Sequence, residues 1–196
     1  MKKLTFLFLA LGIAILSYAQ PVADNAVIPV SVNLNSILRL NVTSGGNIEF
    51  TFSNIDQYTN GLANTDRYDT HFTVASSVDF DVTLSTEDAT FIGADNPGNT
   101  MALNFVAYEI VTNGSGVDAT NWNLIGVAGT PEDLAQTPAN PLVESIAGLG
   151  AGDITQNAFI INWECGTAAT TGGSLLAASL PADRYTTNVY LVLSAQ

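Results

Sequence analysis

Beyond about residue 20 the chain alternates apolar and polar positions with a period of two, the mark of strands that bury one face. Ala26, Ile28, Val30, Val32 and Leu34 alternate with Val27, Pro29, Ser31 and Asn33. Residues 37–42 and 48–52 read as two further strands, parted by the turn-forming Ser44-Gly45-Gly46-Asn47. Val78, Phe80, Val82 and Leu84 share one face of a strand whose other face carries Asp79, Asp81 and Thr83. Strands are also predicted over 72–74, 101–111, 154–165 and 187–194. The third of these groups Phe159, Ile161, Trp163 and Cys165, and the last groups Val189, Leu191 and Leu193.

Turn chemistry falls between these runs, at Asn60-Gly61, Asn96-Pro97-Gly98, Asn113-Gly114, residues 148–152 and Gly172-Gly173. No amphipathic helix of any length is predicted, although Pro131-Glu132-Asp133-Leu134 could start one helical turn. Residues 166–174 read as a mobile loop of small side chains. No linker, charge block or fixed-period repeat divides the chain. The fold class expected is all-β: a single-domain antiparallel β-sandwich over residues 20–196, of Ig-like or pilin-like type.

The N-terminus changes the picture of where such a domain works. Lys2 and Lys3, the apolar run 4–16 and Ser17-Tyr18-Ala19 have the form of a secretory signal peptide over residues 1–19. Export is therefore expected, to the periplasm, the cell surface or the medium, with Gln20 as the new N-terminus. The apolar run is too short to span a bilayer, and no cysteine follows it, so no membrane anchor is expected in the mature chain. Cleavage removes both lysines. Arg39, Arg67 and Arg184 then face all 18 acidic residues, a formal charge of −15. That field repels nucleic acid and anionic lipid, which excludes a polyanion-binding role. Cys165 is the only cysteine, so no intrachain disulfide forms, and a core of this size needs none. Without lysine in the mature chain, Lys–Asn cross-links and lysine-based sortase polymers are also excluded.

Candidate chemistry is thin. His71 and Cys165, one of each, cannot fill a tetrahedral zinc shell without carboxylates. No Gly-x-Ser-x-Gly elbow is present, and Asn113-Gly114-Ser115-Gly116 reads as a loop tip. Cys165 ends an alternating strand beside Trp163, as a core thiol does. The carboxylates carry more weight. Asp79 and Asp81 share a strand face, with Glu87 and Asp88 in the next turn, and these four are the candidate ligands for Ca²⁺, the one cofactor considered. Asp95 lies in a following loop, and Asp66 and Asp69 flank Arg67. The plainer reading is a solvated acidic face. A glycosidase built on paired carboxylates would need exposed aromatics in a cleft, and Trp122, between Asn121 and Asn123, is the best candidate for one. Asn41-Val42-Thr43 and Asn113-Gly114-Ser115 match the glycosylation sequon; the short signal peptide resembles bacterial ones, and in such a protein that match is weak evidence.

The two ends of the mature chain suggest assembly. Arg184-Tyr185-Thr186-Thr187-Asn188-Val189-Tyr190-Leu191-Val192-Leu193 resembles the closing strand of pilin-type Ig-like β-sandwiches. In chaperone–usher pilins an alternating N-terminal extension completes the sheet of the next subunit. The resemblance implies the same for residues 20–35, with Ile28, Val30, Val32 and Leu34 as the anchors of a donated strand. It departs from those pilins in lacking their disulfide and in ending Ser194-Ala195-Gln196. The ordinary alternative makes 26–34 the first strand of its own sandwich. The signal ending Tyr18-Ala19-Gln20 and the low lysine content are similar to exported proteins of the Bacteroidota; Arg184 as the last basic residue departs from that phylum's type IX signal. The expected role is a non-enzymatic structural or adhesive envelope protein that partners itself or other envelope subunits. The alternatives are a calcium-dependent carbohydrate- or protein-binding module and a small outer-membrane β-barrel.

Overall fold

A computed structural model describes residues 28–113, 121–127 and 129–196. The expected signal peptide, Ala26, Val27 and the loop tip 114–116 lie outside the described residues. The chain divides into a short unit, Met1–Leu34, and a compact one, Asn35–Gln196. In the first, residues 28–34 belong to no helix and no ladder strand.

The compact unit is mostly β, with twelve strands among the described residues. In chain order these are β1 (Leu38–Ser44), β2 (Asp69–Ser76), β3 (Phe80–Thr86), β4 (Thr90–Gly93), β5 (Thr100–Ala102), β6 (Val106–Thr112), β7 (Trp122–Leu124), β8 (Glu132–Asp133), β9 (Val143–Ser145), β10 (Ala158–Cys165), β11 (Tyr185–Thr186) and β12 (Val189–Ala195). Two short helices, α1 (Ile55–Asn60) and α2 (Leu175–Ala178), complete it. Three separate antiparallel sheets result, with strand orders β1-β2-β10-β6-β8, β12-β3-β9-β7 and β11-β4-β5.

The first two sheets pack face to face because the period-two pattern gives each an apolar side. Phe72 and Val74 of β2, Ile110 of β6 and Phe159 and Ile161 of β10 meet Phe80, Val82 and Leu84 of β3 in one core. Phe72 stacks on Phe159 at 5.1 Å between ring centroids. Trp122 lies edge-on to Phe159 at 5.3 Å and beside Phe80. That corrects the expectation of an exposed Trp122. The pairing of β7 with β9 turns the indole inward, while its polar neighbour Asn123 faces solvent.

Local chemistry explains the interruptions. Asn54 caps α1 by accepting from the Gln57 N–H at 2.9 Å. Gly45 takes a positive φ of 67° where its backbone crosses Asp69, leaving no room for a Cβ. The long run 101–111 is broken by a 3₁₀ turn at Leu103–Phe105. Two expectations change. Glu132 and Asp133 form β8 on the edge of β6 instead of a helical turn. Residues 166–174 are braced instead of free: Thr167 Oγ1 donates to Glu164, the Gly172 N–H donates to the Asn104 carbonyl, and the Thr171 N–H donates to Asp133.

The β2–β3 connection, residues 77–79, marks one end of the compact unit, the turn end. β2 and β10 run from there to the opposite, helix end, where Cys165 bridges Leu62 and the Ser174 hydroxyl donates to the Tyr58 carbonyl of α1.

Candidate functional site

The compact unit has one border where both sheets stop with their core half covered. β1 is the last strand of one sheet there, and β12 the last strand of the other. The Glu87 N–H donates to the Asn188 carbonyl at 2.9 Å, and the Gln196 N–H donates to the Asp79 carbonyl at 3.1 Å. Antiparallel pairs alternate between bonded and non-bonded partners. Val189, Leu191, Leu193 and Ala195 therefore turn their N–H and C=O groups away from β3, toward the free edge. The bond from Ser77 N–H to the Ile37 carbonyl sets the same parity on β1, so Leu38, Leu40 and Val42 present their backbone outward. The side chains of Leu38, Leu40, Leu191 and Leu193 pack on the core and remain only partly buried. β1 and β12 come within 8 Å at their Cα atoms without joining in a ladder.

Residues 48–52 follow β1 in the chain. Ile48, Phe50 and Phe52 rest on the core, with Phe50 4.5 Å from the Tyr68 ring, while Glu49 and Thr51 face solvent. Among the described residues no backbone hydrogen bond holds 46–52. The alternation read from the sequence is present, and the ladder partner is not. Glu49 also makes a solvent-exposed ion pair with Arg184, at 3.8 Å.

In the N-terminal unit, Ile28, Val30, Val32 and Leu34 are 81, 84, 77 and 88% exposed. Four large apolar side chains in alternation, all this exposed, lack the cover that normally stabilises them.

The four acidic candidates serve their own loops. The Asp79 carboxylate accepts from Gly148 N–H at 2.6 Å and Gly150 N–H at 2.9 Å. Those bonds hold it below the ordinary carboxylate value. Asp81 accepts from the Gln196 amide, Glu87 from the Asn188 amide, and Asp88 from the Thr187 hydroxyl. Among the described residues, no three His, Cys, Asp or Glu side chains converge as a ligand set. Asp183, which the sequence reading passed over, is the most heavily bonded carboxylate among the described residues. It accepts from the N–H groups of Asp95, Asn96 and Arg184 and from the Asn99 amide, and the Asp95 bond leads in lowering its pKa.

Cys165 is buried, and burial pushes its thiol up to about 12, far from a reactive thiolate. His71 lies on β2, opposite Ile160 of β10. Glu164 is buried on β10; burial raises its carboxyl, the Thr167 hydroxyl counteracts this, and Glu109 adds to it. Compared with known proteins, the chain matches no family model, and no curated protein resembles it significantly in sequence.

Proposed function

We propose that this chain is an exported, non-enzymatic structural subunit of the bacterial envelope, pilin-like in its assembly. Residues 28–34 of one copy add as a strand to the free edge of β12 in the next. One observation carries this reading: among the described residues the compact unit has an unpaired edge over a half-covered core, and the same chain holds an exposed alternating segment of matching length. Seven residues, 28–34, equal the seven of β12 in number.

A strand added beside β12 would give that sheet a fifth member lying over Leu38 and Leu40. It parts β1 and β12 to the ordinary spacing of packed sheets, about 10 Å. Main-chain bonds to the outward groups of Val189, Leu191, Leu193 and Ala195 supply affinity, and the side-chain alternation supplies register. Burying Ile28, Val30, Val32 and Leu34 is worth roughly 1.5–3 kcal/mol each before the cost of association. Such contacts join unlike surfaces and do not close, so filaments follow. An edge this apolar, left bare, would otherwise invite unspecific pairing. Separate sheets around a filled core favour this reading over a membrane-spanning barrel, which requires closure.

The test uses purified residues 20–196, imaged by negative stain and run on size-exclusion chromatography, beside the Val30→Asp variant. Filaments or ladders of oligomers are expected from the parent chain, and a folded monomer from the variant. A Val30→Asp chain that cannot fold would assign 26–34 to the domain's own sandwich and overturn the proposal.

A further inference from the structure

Exposed apolar side chains also gather at the two ends of the compact unit. At the turn end they are Ile37, Ile146, Leu149 and Ile154, between 37 and 62% exposed. Hydrogen bonds collect them. Ser77 N–H donates to the Ile37 carbonyl, Ser76 and Gly152 exchange bonds of 3.0 and 2.8 Å, and Asp79 grips Gly148 and Gly150. Between them lies a depression of about 540 Å³ lined by Ser77, Val78, Asp79, Gly148, Ala151 and Gln196. The acidic groups here, Asp79 and Asp153, are occupied by loop N–H groups. At the helix end, Ile55 and Tyr58 of α1 and Leu176 of α2 are 67, 38 and 45% exposed.

We infer that the turn end of one copy seats on the helix end of the next, Ile37, Leu149 and Ile154 meeting Ile55, Tyr58 and Leu176. This rests on the strand-addition reading, and connectivity identifies the occupant. Only Asn35 and Ser36 separate Leu34 from Ile37, a reach of about 11 Å. Every ladder among the described residues is antiparallel. A donated strand that keeps this rule runs from Ala195 toward Val189. Its Leu34 then emerges at the acceptor's helix end, and the donor's turn end follows within that reach. The opposite direction would set turn end on turn end. Two copies of so acidic a chain repel, and an apolar seat opposes that repulsion.

The test separates the two claims by measuring uptake of a synthetic peptide of residues 26–35 by chains that also carry Val30→Asp, so that no neighbour fills the edge, alongside self-association of residues 20–196. Ile154→Asp and Leu176→Asp are made in separate chains. Both are expected to melt like the parent and to take up the peptide equally well. Each is expected to lose about tenfold in association constant, the effect of one well-placed interface side chain. Ile154→Asp mixed with Leu176→Lys should regain most of it at the mixed contacts. Parent-like association in both Asp variants overturns the end contact and leaves strand addition standing. Refusal of the peptide by the monomeric Val30→Asp chain, whose edge no neighbour fills, overturns both.

Discussion

β3 and β12 are neighbours in one sheet, equal in length and alike in alternation, yet their inward faces differ. Phe80, Val82 and Leu84 are 0, 0 and 1% exposed, whereas Leu191 and Leu193 remain partly open. Position causes the difference. Among the described residues, β3 has β12 on one side and β9 on the other, and β12 has β3 alone. Alternation records which face of a strand is apolar; whether that face is covered depends on what lies beyond the edge. A gap there is a cost to the isolated chain and an opportunity for a partner.

Truncating one inward leucine on each strand separates the two. Leu84→Ala should cost about 2–5 kcal/mol in urea unfolding, because a filled site leaves a cavity. Leu191→Ala should cost about 1 kcal/mol, less than half as much, since water already reaches it, while uptake of the 26–35 peptide falls sharply in a titration. Equal losses from the two would mean that β12 is covered in solution.

Smaller effects test the polar groups around the border. Backbone bonds from Gly148 and Gly150 hold Asp79 below its ordinary 3.8. A depressed carboxylate adds stability that is present above the unfolded value and lost as pH falls through the folded one. Acid titration below pH 3.8 should therefore destabilise the parent, and Asp79→Asn should flatten that limb. An unchanged acid limb would remove Asp79 as the clamp of the turn end.

Glu164 works in the opposite sense. Its folded carboxyl is raised by burial, so its ionisation penalises the fold as pH rises above the unfolded value of 4.5. Glu164→Gln should raise the melting temperature at pH 7 by roughly 1–3 °C, measured by calorimetry. A fall would show that the carboxylate's bond with Thr167 outweighs its desolvation. Smallest of all, millimolar Ca²⁺ should leave the melting temperature unchanged, because the four acidic candidates already accept hydrogen bonds; a rise of several degrees would revive the calcium-binding module.

Much of the fold was legible in the chain. The strands over 78–84, 154–165 and 187–194 correspond to β3, β10 and β12 because a buried face imposes its period directly on side-chain choice. The short elements were harder to read. Glu132-Asp133 carries no strand signal of its own and is a strand because β6 offers an edge. Trp122 reads as exposed from its asparagine neighbours and is buried because β9 sets its register. Residues 48–52 have the pattern of a strand and no ladder partner among the described residues, a condition no local pattern encodes. The candidate site divides the same way: the anchors at Ile28, Val30, Val32 and Leu34 are visible as alternation, while the edge proposed to receive them is visible only as topology.

Read along the chain, the sequence holds the period, the polarity of each face, the single cysteine and the acidic net charge, since these are properties of neighbouring residues or of sums over the chain. Only the tertiary structure decided which strands end a sheet, which carboxylates are occupied by loop N–H groups and where the core is left half covered. Those depend on contacts between residues far apart in the chain, and pairing at such distances is settled by the competition of all strands for partners.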